Sequence, residues 1–201
     1  LCNGNATGSI DITISGGASS YSFLWSNGST NEDLSNALAG TYYLQVSDAN
    51  SCILLDTFVI TEPSVITVLS TTNDATCNGL SDGNASLTIS GGTPGYSEDW
   101  GTNNPNSLSA GTYNYTIVDN NSCVYTNSVL INEPNIISTV HNITNVSCNG
   151  FSDGSASLTI SGGTPGYSED WGTNNPNSLT AGTYNYTITD TNGCNYNDSV
   201  T

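Results

Sequence analysis

The stretch CNGLSDGNASLTISGGTPGYSEDWGTNNPNSLSAGTYNYTIVDNNSCVYTNSV, from Cys77 to Val129, decides how this chain reads. It returns from Cys148 to Val200 with nine substitutions in fifty-three aligned positions, and a looser copy occupies Cys2 to Ile60. Trp25, Trp100 and Trp171 mark the period, lying 75 and 71 residues apart. Self-similarity at a fixed period is the mark of a repeat array. Each copy exceeds a solenoid repeat in length and carries its own strands and cysteine pair. The expectation is therefore three small domains in tandem, 1–63, 64–134 and 135–201, the first truncated at its N-terminal side and the last at its C-terminal side.

Within the second copy, Asn84–Ser90 alternates apolar Ala85, Leu87 and Ile89 with polar neighbours, the period-2 pattern of a half-buried strand. Gly91-Gly92-Thr93-Pro94-Gly95 is a turn cluster. Tyr96–Trp100 reads as a short strand, Leu108 as the centre of another, and Thr112–Asp119 and Cys123–Ile131 as two longer ones. No segment carries a helical period. The predicted class is all-β: tandem small immunoglobulin-like sandwiches, each held by one disulfide. The first copy differs by four extra residues, with fifteen positions from Trp25 to Gly40 against eleven from Trp100 to Gly111. The copies meet at Glu62-Pro63 and Glu133-Pro134, short junctions whose proline stiffens the backbone.

The 201 residues include 17 acidic side chains, one His and no Lys or Arg, for a net charge of −17. Such a surface repels nucleic acid and anionic headgroups. No apolar run is long enough to span a bilayer as a helix, which argues against membrane insertion. Trypsin-like proteases find no site, and lysine isopeptide crosslinks are impossible. Covalent stapling falls to the six cysteines. Repeat symmetry predicts Cys2–Cys52, Cys77–Cys123 and Cys148–Cys194, with Leu108 supplying the extra traversal that would bring both turns of a copy to the same end. Paired cysteines imply an oxidising, extracytoplasmic compartment.

Other side chains admit more than one reading. Glu98-Asp99 and Glu169-Asp170 are either calcium ligands or solvated strand ends; no other cofactor is indicated. Asp48, Asp119 and Asp190 precede the second cysteine and suit Asx turns, as Asp82 and Asp153 suit Ser-Asp-Gly turns. Trp25, Trp100 and Trp171 are core residues packing against the disulfide, with sugar stacking as the alternative. Tyr42, Tyr113 and Tyr184, after Ala-Gly-Thr, are structural tyrosines whose hydroxyls tie down a loop. His141 has no counterpart in the other copies and reads as an incidental surface residue. No nucleophile–base pair recurs three times, so an enzyme is not expected.

The pattern Cys-Asn-Gly, Asp-Gly, Ser-Leu-Thr-Ile-Ser-Gly-Gly-Thr-Pro, Tyr-Ser, Trp, Ala-Gly-Thr-Tyr, Cys and Glu-Pro resembles the SprB repeat. The resemblance covers all three copies. It implies a stalk or filament segment of a large secreted adhesin on the bacterial cell surface, exported by the type IX route and of the type that takes part in gliding motility. Two alternatives to the stalk stand beside the resemblance: carbohydrate-binding modules recognising surface polysaccharide, and a self-associating extracellular filament subunit. The expected partners are therefore adjacent repeats of the same chain, surface polysaccharide or neighbouring copies. Glu98-Asp99 and Glu169-Asp170 depart from the family pattern, which places an aromatic there, as Phe23 does in the first copy.

Overall fold

Alternating burial turns the apolar residues of each strand inward, and the computed structural model, which describes residues 1–201, contains strands and no helix. The first repeat holds β1 (Gly8–Ile10), β2 (Ser22–Trp25), β3 (Leu34–Ala37), β4 (Gly40–Ser47) and β5 (Ile53–Ile60). The second holds β6 (Thr67–Asn73), β7 (Asn84–Ser90), β8 (Ser97–Asp99), β9 (Gly111–Val118) and β10 (Val124–Ile131). The third holds β11 (Ser138–Thr144), β12 (Ser155–Ser161), β13 (Ser168–Asp170), β14 (Tyr184–Thr189) and β15 (Asn195–Val200).

Each repeat contributes a two-stranded and a three-stranded sheet, as a small sandwich requires. The three-stranded sheets run β2-β4-β5, β8-β9-β10 and β13-β14-β15. In the third repeat β14 is central and antiparallel to both neighbours, pairing Glu169 with Ile188 and Tyr186 with Asp198. Its second sheet pairs β11 with β12 over seven residues, from Ser138 opposite Ser161 to Thr144 opposite Ser155. In the first repeat the inserted residues lengthen β3, which pairs with β1 through Gly8–Ala37 and Ile10–Leu34. The corresponding contact in the other repeats shrinks to single bridges, Gly83–Leu108 and Gly154–Leu179.

The cores follow the inward faces of these sheets. Trp171, Leu179, Tyr186, Ile188 and Val200 centre one cluster; Trp25, Leu34, Leu44 and Val46 centre another. Ile188 is fully enclosed and Trp25 is 1% exposed. The tryptophan rings rest on aromatic partners, Trp171 on Tyr186 at 4.9 Å, Trp100 on Tyr115 at 5.1 Å and Trp25 on Phe58 at 5.5 Å. Burying a residue of that size is worth about 2–3 kcal/mol each.

The chain divides into two compact units, and the division falls inside the second repeat. One unit comprises Leu1–Leu69, Thr88–Asp99 and Thr116–Thr126; the other comprises Ser70–Leu87, Trp100–Tyr115 and Asn127–Thr201. Each unit contains one meeting point between successive repeats.

Candidate functional site

The cysteines do not pair within repeats. Cys2 is bonded to Cys123, 121 residues away, and Cys77 to Cys194, 117 residues away. Cys52 and Cys148 are free and exposed. The expected pairs Cys2–Cys52, Cys77–Cys123 and Cys148–Cys194 are thus replaced by bonds from the first cysteine of one repeat to the second cysteine of the next. The cause lies in the traversal count. In the third repeat Leu179 makes one bridge, to Gly154, and its loop returns to the end from which β12 sets out. Three traversals, β12, β13 and β14, then separate Cys148 from Cys194, and an odd number leaves the two turns at opposite ends. The same residues surround Leu108, which also makes one bridge.

Each staple sits in a joint assembled from short motifs. In the first unit, the Cys2-Asn3-Gly4 turn lies against the Glu62-Pro63 junction. The Gly4 amide donates to Glu62 Oε2 at 2.5 Å and Asn3 Nδ2 to the Pro63 carbonyl at 3.0 Å. In the second unit, the Gly79 amide donates to Glu133 Oε2 at 2.6 Å, and Asn78 Nδ2 reaches Glu133 Oε1 at 3.0 Å and the Pro134 carbonyl at 3.1 Å. A carboxylate facing amide donors makes the stronger class of hydrogen bond. Glutamate is thus a clamp on the turn that carries the cysteine. Its sequence signal was the recurrence of Glu-Pro together with Cys-Asn-Gly, which reads as a simple boundary without the structure.

The junction backbone then runs into the Gly-Gly turn of the following repeat. The Gly92 amide donates to the Ser64 carbonyl at 2.8 Å, and the Gly163 amide to the Asn135 carbonyl at 2.7 Å. Gly91 and Gly162 hold positive φ, and a Cβ on either would lie 1.9 Å from the Val65 or Ile136 carbonyl oxygen. Only glycine admits so close a backbone approach.

The second cysteine is presented by an aspartate. Asp119 Oδ1 accepts the amides of Asn121 at 2.9 Å and Cys123 at 2.8 Å, while Oδ2 accepts that of Thr93 at 2.8 Å. Asp190 repeats this with Asn192, Cys194 and Thr164. Both carboxylates are buried, at 4% and 5% exposure. Burial opposes their charge, but the backbone amides around each outweigh it and hold both carboxyls below the ordinary aspartate value. The neighbouring Asn121 and Asn192 reach across to the preceding repeat, Asn121 Nδ2 donating to the Leu1 carbonyl at 3.1 Å and Asn192 Nδ2 to the Thr76 carbonyl at 3.1 Å. A cleft lies beside each staple: about 270 Å³ bordered by Cys2, Val65 and Tyr125, and about 420 Å³ bordered by Cys77, Ile136 and Tyr196.

Elsewhere the candidate residues take structural roles. Tyr42, Tyr113 and Tyr184 donate to the carbonyls of Leu38, Ser109 and Thr180, each four residues back, at 2.9, 3.0 and 3.1 Å. Asp82 and Asp153 accept the amides of Thr76 and Ser147, at 3.0 and 3.1 Å, fixing the residue before the first cysteine. Trp25, Trp100 and Trp171 are buried, and their ring partners are aromatic side chains; the staples lie in the joints. Glu98, Asp99, Glu169 and Asp170 occupy exposed positions on β8 and β13. Glu169 Oε2 accepts the indole N–H of Trp171 at 3.0 Å and Asp170 Oδ1 the Gly172 amide at 2.8 Å. No three His, Cys, Asp or Glu side chains gather as a metal-binding group. In the first repeat the inserted loop does the same service for the indole, through the Asn31 carbonyl at 2.9 Å from Trp25 Nε1.

His141 is more than an incidental surface residue. Its Nε2 lies 2.8 Å from the Tyr186 hydroxyl and 3.5 Å from Asp198 Oδ2. Asp198 is held below the usual carboxylate range, first by the Ser199 amide, with the Tyr196 hydroxyl and His141 adding to it. This cluster belongs to the third repeat alone, since Ser70 and Asn127 replace His141 and Asp198 in the second.

No helix is long and apolar enough to cross a membrane. No curated protein matches the chain significantly. The family model described as the SprB repeat matches it at residues 1–30, 69–104 and 140–176, just over half of its length. The chain therefore belongs to the SprB repeat family, whose repeats form segments of large cell-surface adhesins.

Proposed function

We propose that this chain is a tension-carrying stalk segment of an extracellular surface adhesin, acting by holding successive repeats together and carrying out no reaction. The observation that carries the reading is the Cys77–Cys194 bond, reproduced by Cys2–Cys123. A bond inside one repeat would strengthen that repeat alone. A bond from repeat to repeat places a second covalent route beside the Glu-Pro junction, so force passing through a joint is shared. Because the staples close loops of well over a hundred residues, each constrains the unfolded chain by about 5 kcal/mol in the chain-entropy account.

The acidic surface, free of Lys and Arg, keeps such a segment soluble and resistant to trypsin-like proteases. Disulfides fit an oxidising, extracellular location, and the family's place in surface adhesins supports secretion through the type IX route and a gliding-type adhesin as the finer form of the proposal. Adjacent repeats of the same chain are its first partners.

Pulling single chains from their two ends tests this. With disulfides intact, the extension released on unfolding is short, because the segments 2–77, 77–123 and 123–194 then connect the same two cross-linked points and the shortest, 77–123, sets the limit. Reductant should lengthen the released contour and lower the unfolding force at the joints. Equal traces in both conditions would overturn the reading.

A further inference from the structure

Cys52 and Cys148 are the two cysteines without a bond, and each sits in the same local setting as a bonded one. Cys52 follows an aspartate turn like those of Cys123 and Cys194, with Asp48 Oδ1 accepting the amides of Asn50 and Cys52 at 2.9 Å each. Cys148 opens a Cys-Asn-Gly turn like those of Cys2 and Cys77, and Asp153 fixes the residue before it.

In three respects the end of the first repeat bearing Cys52 leaves open the surface that a junction covers in the second and third repeats. A Cβ at Gly91 or Gly162 would strike a carbonyl oxygen at 1.9 Å, whereas one at Gly16 would meet open space. The second glycine of each turn tells the same story. Gly92 and Gly163 sit against Ile66 and Ile137 of the incoming junction, while Gly17 meets only its own Asp48. Finally, Asp119 and Asp190 are buried under that junction, whereas Asp48 stays half-exposed. Asp48 nonetheless keeps a lowered pKa, led by the Ala18 amide, so its turn is formed in advance.

From these we infer that Cys52 and Cys148 are complementary halves of a third staple of the same kind, Cys148 of one SprB-type repeat bonding Cys52 of the next, and that two copies of this chain can be joined head to tail through them. Asn50 then donates to the carbonyl of Ser147 of the other copy, as Asn121 does to Leu1 and Asn192 to Thr76. The inference rests on the stapled-stalk reading for its geometry, yet the internal bonds can hold while this one fails.

Forming the bond removes two electrons and two protons from the thiol pair. Glutathione disulfide supplies the oxidant. The Cys148 thiolate attacks one glutathione sulfur and releases a glutathione thiolate; the Cys52 thiolate then attacks the mixed disulfide and releases the second.

The test mixes full-length Cys52→Ser with full-length Cys148→Ser in a glutathione redox buffer. Non-reducing mass analysis counts the dimers, and chymotryptic mapping locates the link. The expected product is the heterodimer joined Cys148 to Cys52, at least fivefold above either homodimer. Asn50→Ala in the Cys148→Ser chain should cut its yield severalfold while leaving Cys52 equally reactive toward a small thiol reagent. Homodimers matching the heterodimer, or monomers that end only as glutathione adducts, would overturn the inference. Single-chain pulling of either variant still reports Cys2–Cys123 and Cys77–Cys194, so failure here is distinguishable from failure of the stalk proposal.

Discussion

Cys77 is bonded to Cys194, in the next repeat, although Cys123 is the nearer cysteine along the chain. Replacing Cys77 with Ser should therefore free Cys194 and leave Cys123 bonded to Cys2. Alkylation of the folded, unreduced protein followed by mass spectrometry reads this directly. The native chain labels at Cys52 and Cys148, and the variant gains Cys194. Label on Cys123 would restore pairing within the repeat. The variant should also lose stability, by up to about 5 kcal/mol.

Glycine at the joint is a separate lever. Gly91→Ala and Gly16→Ala both place a side chain at positive φ, which costs about 1–2 kcal/mol. Only Gly91→Ala also drives a methyl group into the Val65 carbonyl. It should lower the denaturation midpoint clearly more than Gly16→Ala does, and it should weaken the docking of Ser64 on Gly92. Equal losses in the two variants would show that the close approach contributes nothing.

Glu133→Gln removes the charge that faces Gly79 and Asn78. Hydrogen exchange at the Gly79 amide should speed by about tenfold, since a charge-assisted bond is roughly twice as strong as a neutral one. The core amides of β14 should be unaffected.

Tyr113→Phe deletes the bond to the Ser109 carbonyl at 3.0 Å and keeps the ring. A loss of about 1 kcal/mol is expected in chemical denaturation, with an unchanged dependence on denaturant concentration.

Stability should pass through a maximum in mild acid. Asp48, Asp82, Asp119, Asp153 and Asp190 all have carboxyl pKa values lowered below 3.8 in the folded chain. A lowered folded pKa gives stability that is complete above the unfolded value and is lost as pH falls through the folded one. The joints should therefore loosen only below about pH 4. Above that, the 17 acidic groups repel one another with no Lys or Arg to answer them, and partial protonation relieves this. Thermal melts should rise from neutral pH toward about pH 4.5 and fall below it. A monotonic fall from pH 7 would contradict this account.

Much of the fold was legible before any coordinates. Asn84–Ser90 is a strand at the bounds its alternation indicates, and the longer strands 111–118 and 124–131 shift by a residue at most from their expected starts. Leu108 was legible as a contact but not in extent, because a single bridge and a longer strand share the same local pattern. In the second and third repeats that single difference reversed the parity, and with it the partners of Cys77, Cys123 and Cys194. His141 was opaque for another reason: its partners Tyr186 and Asp198 lie 45 and 57 residues away, on strands that meet it only through the packing of two sheets.

Periodicity, alternation and turn residues act within a few positions of the chain, and so the amino-acid order by itself determined the repeats, their strands, the inward tryptophans and the presence of two cysteine-bearing turns in each copy. Which end each turn occupies is a sum over all traversals between them, and which carboxylates are covered depends on the neighbouring repeat. Those are properties of the packed chain. Only the tertiary structure decided that Cys2 and Cys77 reach forward to the next repeat, and that Glu62 and Glu133 clamp the turns from which they reach.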